Sequence, residues 1–195
     1  MNSSTFAFPR GLLGALRLFV LASIVLSAQA FAQVDDYAEV NRLIKGRQMT
    51  EALAKADQYL AARPRDPQMR FLKGVVLSES GKPGDAIAVF TKLTEDYPEL
   101  AEPYNNLAVL YANQNQFDKA RSSLEMAIRT NPSYATAHEN LGDVYARLAS
   151  QAYSKALQLD GSNAALQPKL GLIRNIFNPE PRGQKPVAEA PVNRP

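Results

Sequence analysis

The chain predicts an all-α fold of stacked antiparallel helix pairs, and three observations carry that prediction. Ala52, Ala86 and Ala120 recur at one fixed step, as do Pro64, Pro98 and Pro132. Gly74, Ala108 and Gly142 keep the same step, and so do Leu77, Tyr111 and Tyr145. The step is about 34 residues, within the range of periods that marks stacked repeat architectures. Within each period, apolar residues recur at three- and four-residue steps, the spacing of one helix face. Each period also closes on a proline, which cannot continue a helix. A unit this short buries too little apolar surface alone, so neighbouring units must share a core.

Residues 1–32 read as an address rather than as part of the fold. Arg10 and Arg17 precede an apolar run from Leu18 to Leu26, and Ser27-Ala28-Gln29-Ala30-Phe31-Ala32 follows. Positive, then apolar, then small-x-small is the order of a cleavable export signal. Cleavage fits after Ala30 or after Ala32. The apolar run is shorter than the roughly 20 residues that span a membrane. A cleaved Sec-type leader and a periplasmic location are therefore the expectation.

Residues 33–66 form the first expected repeat. It keeps Leu43, Ala52 and Pro64 but carries Val40 where Gly74 stands in the next unit. A terminal repeat has one unshared face, so a degenerate sequence is expected there. Residues 67–100 keep Gly74, Leu77, Gly81, Ala86, Phe90 and Pro98, with Pro83 at the tolerated start of the second helix. Residues 101–134 show the pattern best. Tyr104, Leu107, Ala108 and Tyr111 mark one helix face, and Ala120, Leu124, Ala127 and Ile128 mark the other. Asn113-Gln114-Asn115-Gln116 is the turn between them.

The fourth unit, 135–161, is short. The step from Tyr145 to its matching Ala156 is smaller by five than the step from Tyr111 to Ala127. The missing five fall where the turn belongs, and no Gly or Pro interrupts 143–160. One long helix over about 135–159 is expected, of about 37 Å at 1.5 Å per residue. Asp160-Gly161 should end it through a left-handed glycine. Residues 163–177, with Asn163 as N-cap and Leu166, Leu170, Ile173, Ile176 and Phe177 as an apolar face, read as a helix capping the open end. Residues 178–195 hold five prolines and few large apolar residues, the composition of a disordered or polyproline tail.

The residues of 101–134 closely resemble the tetratricopeptide repeat family. Tyr104 stands in the family's tryptophan slot, and Leu107, Ala108, Tyr111, Phe117, Ala120, Leu124, Ala127 and Pro132 stand in its other signature slots. The resemblance covers roughly residues 33–160. It implies a right-handed α-solenoid of about three full repeats, a shortened fourth and a capping helix. It also implies a concave groove lined by the first helix of each repeat. Carried over, the groove positions are Tyr37 and Asn41, then Phe71, Val75 and Glu79, then Asn105, Val109 and Asn113, then Glu139, Asp143 and Arg147. Paired donor and acceptor on an Asn side chain suit an extended peptide backbone. The family's carboxylate clamp needs basic residues in this groove. Glu102 occupies one basic slot and only Asn41 matches, so a terminal-carboxylate receptor is not expected.

Catalytic material is scarce. The chain has no Cys and one histidine, His138, which falls in the Tyr104 slot and reads as a packing residue. Cys-based nucleophiles, His-based triads and zinc sites lack their side chains. Gly81-Lys82-Pro83-Gly84 is a repeat turn rather than a phosphate loop. Net charge is +3, from 22 basic and 19 acidic residues, and two of the basic residues lie in the leader, so no nucleic-acid footprint stands out. The expectation is a non-enzyme without cofactor or metal that binds a protein or peptide. In layout it resembles the small exported repeat proteins of Gram-negative bacteria that help assemble envelope complexes. A holding chaperone is the alternative, and the end of the stack also suits a homodimer contact.

Overall fold

A computed structural model describes residues 36–177; the expected leader and proline-rich tail lie outside the described residues. Eight helices and no strand occur among the described residues. Helix α1 covers 36–45. It is followed by α2 (Met49–Ala62), α3 (Pro67–Glu79), α4 (Pro83–Asp96), α5 (Ala101–Asn113), α6 (Phe117–Thr130), α7 (Ala135–Leu159) and α8 (Leu166–Phe177).

The repeat step of the sequence reappears in the backbone. The second helices start at Met49, Pro83 and Phe117, and first helices start at Pro67, Ala101 and Ala135. The tight turn inside each pair places one residue at positive φ, and these keep the same step: Arg47 at 58°, Gly81 at 70° and Asn115 at 58°. Glycine and asparagine enter this region readily, and arginine does so at a cost. Between pairs the chain reverses at Arg63, Tyr97 and Asn131, each at φ between −135° and −139°. Asp66 shows how the next helix begins. Its side chain accepts a 2.8 Å hydrogen bond from the Met69 amide, and Pro67 fills the first helical position, where no amide is needed.

Packing joins each pair to the first helix of the next. Phe90 is fully buried and lies with Leu77, Ala86, Leu93, Leu107 and Leu110 in a core shared by α3, α4 and α5. Ala120, Leu124 and Ala127 join Ala108, Ala137 and Val144 across α5, α6 and α7. The small residues sit where helices come closest. A Cβ built on Gly74 would lie 2.6 Å from the Phe90 ring. Arg70 spans from α3 to Asp96 on α4 at 2.8 Å. Hydrogen bonds from Arg70 and then Lys92 hold the Asp96 carboxyl below its usual range. The stabilisation from that pair is present at neutral pH and lost as pH falls through the lowered value.

The C-terminal end departs from this plan. Helix α7 runs 25 residues without a break. Its end repeats the geometry of the inter-pair turns: Asp160 sits at φ −134° and ψ 87°, against −135° and 93° at Asn131. No left-handed glycine is used there, since Gly81 is the one glycine at positive φ among the described residues. The deletion removed the turn inside the fourth pair and left the turn after it intact. First and second helix are therefore fused end to end. Helix α8 starts at Leu166 rather than 163, with Pro168 in its first turn; Asn163 instead closes the preceding turn by accepting from the Ala165 amide at 3.2 Å. Leu170-Gly171 follows Leu141-Gly142 at the repeat step less the deletion. On that register α8 is the first helix of a further unit, laid against the distal half of α7.

Fusion leaves a face bare. A Cβ at Gly142 would meet nothing within 4 Å, and Tyr145 is 49% exposed. His138, expected to pack, is exposed for the same reason, its Nε2 lying 3.0 Å from the Pro132 carbonyl oxygen.

Two equivalent glycines should therefore respond oppositely to one extra methyl group. Gly74→Ala drives a Cβ into the Phe90 ring and should cost about 1–3 kcal/mol. Gly142→Ala should stabilise by about 0.5–1 kcal/mol through helix propensity alone. Urea denaturation of the two variants checks this, and a comparable loss at Gly142 would place a helix against that face. Ala120→Leu, at a fully buried contact, should also cost about 1–3 kcal/mol.

Candidate protein-binding groove

The eleven expected groove residues fall into rows along the first helices, and the structure separates the rows. Tyr37, Phe71 and Asn105 turn inward. The Tyr37 hydroxyl lies 2.9 Å from that of Tyr59 and donates to Asp66 at 2.6 Å. Phe71 packs tilted on Phe90 with ring centroids 5.6 Å apart. Asn105 is buried, and its Oδ1 accepts a 2.8 Å hydrogen bond from Nδ2 of Asn140 on α7. These three act as packing and bracing groups between helices rather than as open contacts. Glu139, the fourth member of that row, is exposed because its unit lacks the second helix.

The other two rows face outward. Asn41, Val109 and Asp143 are exposed and Val75 is half-buried; Glu79, Asn113 and Arg147 are exposed further along the same helices. Asn41 donates back to the Tyr37 carbonyl at 2.9 Å, and Glu79 lies 3.6 Å from Arg47 in a solvent-exposed pair. Such exposed pairs contribute little to stability.

Four of these residues surround one cleft between α5 and α7. Val109, Asn113, Asp143 and Arg147 form its rim, and the opening of about 460 Å³ reaches down to Ala108, Leu124 and Val144. The floor is apolar because it is the core shared by α5, α6 and α7. Small side chains at Ala108 and Ala112 keep it open. An apolar floor with a few convergent polar groups suits a side chain held in place by its backbone. Ala112, Asn140 and Val144 also line it without having been expected in the groove, and so does Phe177, the last residue of α8, expected only on the apolar face of the capping helix; its ring centre lies 3.7 Å from the Arg147 guanidinium carbon. Leu170-Gly171 marks α8 as a first helix by register, but no local pattern places its last residue against Arg147.

Models of the tetratricopeptide repeat match residues 37–101 and 77–141, together more than half of the chain. The chain is 34% identical over 85 residues to the tetratricopeptide repeat domain-containing protein PYG7, chloroplastic, of Arabidopsis thaliana. That match covers 41% of this chain and 28% of the relative, so only a minor part of the relative is matched. Among solved structures, the crystal structure of MamA superposes with a TM-score of 0.53 at 22% identity, over 71% of this chain and 84% of that one. The first such domain of Spaghetti (RPAP3), solved with the HSP90 peptide SRMEEVD, superposes with a TM-score of 0.55 at 15% identity, over 60% and 92%. At those identities the likeness concerns the fold.

The inward placement of Asn105 changes what its removal should do. Asn105→Ala deprives the Asn140 amide of its acceptor in a half-buried contact and should cost about 1–3 kcal/mol of stability. Asn113→Ala, on the exposed row, should leave stability within about 0.5 kcal/mol. Thermal unfolding of the two variants side by side checks the assignment of rows.

Proposed function

Since this chain belongs to the tetratricopeptide repeat family, we propose that it is a non-catalytic scaffold that holds a segment of another protein against the first-helix face. The observation that carries this reading is the α5/α7 cleft, where a polar rim of Asn113, Asp143 and Arg147 surrounds an apolar floor. A peptide laid there can bury one side chain while its backbone bonds to the Asn113 amide, which donates and accepts at once. The reading extends to location and role through residues 1–32, whose pattern is that of an export signal. On that basis the protein is a periplasmic adaptor in the assembly of a cell-envelope complex. A holding chaperone for exported clients is the alternative. An adaptor retains one or two partners at fixed stoichiometry, whereas a chaperone retains many.

The bare face of α7 supports a second contact. Gly142 and Tyr145 lie open there, and Leu159, Leu172 and Ile176 on the two terminal helices are 57–77% exposed. Apolar exposure gathered at one end suits a homodimer or a second partner.

Affinity capture from an envelope extract, followed by mass spectrometry, tests the main reading. The variant Val109→Glu with Asn113→Ala should fold normally, since both positions are exposed. Loss of one hydrogen bond alone, at about 0.5–1.5 kcal/mol, weakens capture by about two- to tenfold, and a carboxylate over the apolar floor adds to that. Capture equal to the wild type would move the binding face elsewhere. N-terminal sequencing of envelope-fraction protein should begin at Phe31 or Gln33; a start at Met1 would remove the export reading.

A further inference from the structure

Gly142 is out of place in α7. It stands inside a 25-residue helix, where glycine is less stable than alanine. Among the described residues nothing uses the room it leaves, since a Cβ there would meet no atom within 4 Å. The intact units show what such a position serves. Gly74 receives the Phe90 ring from its own second helix, and Ala108 and Leu124 hold the corresponding places one repeat on. Glycine goes with an aromatic ring, and alanine goes with leucine.

The fourth unit carries both members of such a pair. One repeat step less the five missing residues takes Ala120, Leu124 and Ala127 to Ala149, Tyr153 and Ala156. Gly142 is thereby matched with Tyr153, glycine with an aromatic once more. On one unbroken helix the two cannot meet, standing about 16 Å apart. Ala120, Leu124 and Ala127 are fully buried, whereas Ala149, Tyr153 and Ala156 are half-buried. Helix α8 supplies one neighbour, with Lys169 Nζ 5.2 Å from the centre of the Tyr153 ring. The neighbour still missing is a first helix of the same unit.

We propose that two copies of the chain pair through antiparallel α7 helices, the distal half of each serving as second helix to the other's fourth unit. The inference rests on the bare face of α7 being a contact surface, and it names what covers that face. Tyr153 of each copy lies over Gly142 of the other, and one two-fold axis near Leu148 closes both hairpins. Exchange of an identical element between copies is a low-cost route to a dimer when the connecting turn is altered. The surface continues a core that already exists, because Leu141, Val144 and Leu148 pack with α5 and α6 in one cluster. Charge favours the antiparallel sense. Glu139 and Asp143 lie in the first half of α7, and Lys155 is the one charged residue of 148–159. Antiparallel pairing sets Lys155 beside the acidic half of the other copy, whereas parallel pairing sets acid against acid.

The test uses the full chain. Sedimentation equilibrium over a concentration series should show a monomer–dimer equilibrium. Gly142→Ala should weaken it by about tenfold or more, since each dimer meets the clash with Tyr153 twice. The gain in stability given above for that variant belongs to the monomer in dilute solution. Adding Tyr153→Leu should recover most of the lost dimer, alanine with leucine being the combination of the third unit. Cross-linking reads the register, and the chain has no Cys to interfere. Arg70 and Asp96, 2.8 Å apart across the second hairpin, correspond to His138 and Leu159, both exposed. His138→Cys and Leu159→Cys copies, mixed and treated with a short bismaleimide, should give a covalent dimer. Neither variant alone should, because its two thiols lie at opposite ends of the pair. A chain that stays monomeric, cross-linking of either variant with itself, or a dimer indifferent to Gly142→Ala would overturn the proposal. With a monomeric chain, loss of a captured envelope protein on Tyr145→Glu would still leave the bare face as a contact for another protein, so the two readings fail separately.

Discussion

The second and third hairpins of the stack each depend on one close approach. A large side chain of the second helix lies over a position on the first helix that has room for little more than hydrogen or methyl. Phe90 over Gly74 is the tightest case, where a Cβ would fall 2.6 Å from the ring. Leu124 and Ala108 belong to the corresponding core one repeat on. The approach sets the distance between paired helices and lets α5 join α3 and α4 in one core. The first-helix face then emerges as a consequence. With one side of each first helix used by its partner and another by the next repeat, the remaining side is left to solvent.

The fourth unit shows what happens when the approach is denied. It retains the small residue, Gly142, but the turn is gone and the chain runs straight through. Helical hydrogen bonding continues because nothing between 143 and 159 opposes it; the segment contains neither glycine nor proline. The reversal after Asp160 survives, so α8 packs on the distal half of α7 as a first helix would. Solenoid growth is diverted rather than halted. The diversion also turns the end of α8 back toward the groove, where Phe177 meets Arg147. A deletion in one turn thereby decides both the bare face at Gly142 and the ring at the cleft.

Helix pairing was legible because its determinants are local and repeated. Alternating three- and four-residue spacings, the prolines at 64, 98 and 132 and the polar turns recur at one period, and each repetition corroborates the last. The unbroken run of α7 was legible by subtraction against the same period. Less legible were the roles within the groove. Asn105 and Asn113 look alike as side chains on one helix, yet one is buried against Asn140 and the other stands on the rim of the cleft. The difference is about 80° of rotation around α5 at about 100° per residue, and whether that turns a side chain toward a neighbour depends on where α7 lies. His138 fails for a related reason: its slot packs only when a second helix returns to cover it.

The sequence by itself determined the helices, their order, the repeat that stacks them and the place where the repeat is cut short, because those follow from periodicity, chain-breaking residues and the size of side chains at fixed steps. Only the tertiary structure decided which groove residues brace the scaffold and which remain open, and that Phe177 lies against Arg147 on the preceding helix. These are contacts between helices whose relative placement depends on packing. No local pattern encodes them, since the same side chain on the same helix is core or surface according to what the neighbouring helix covers.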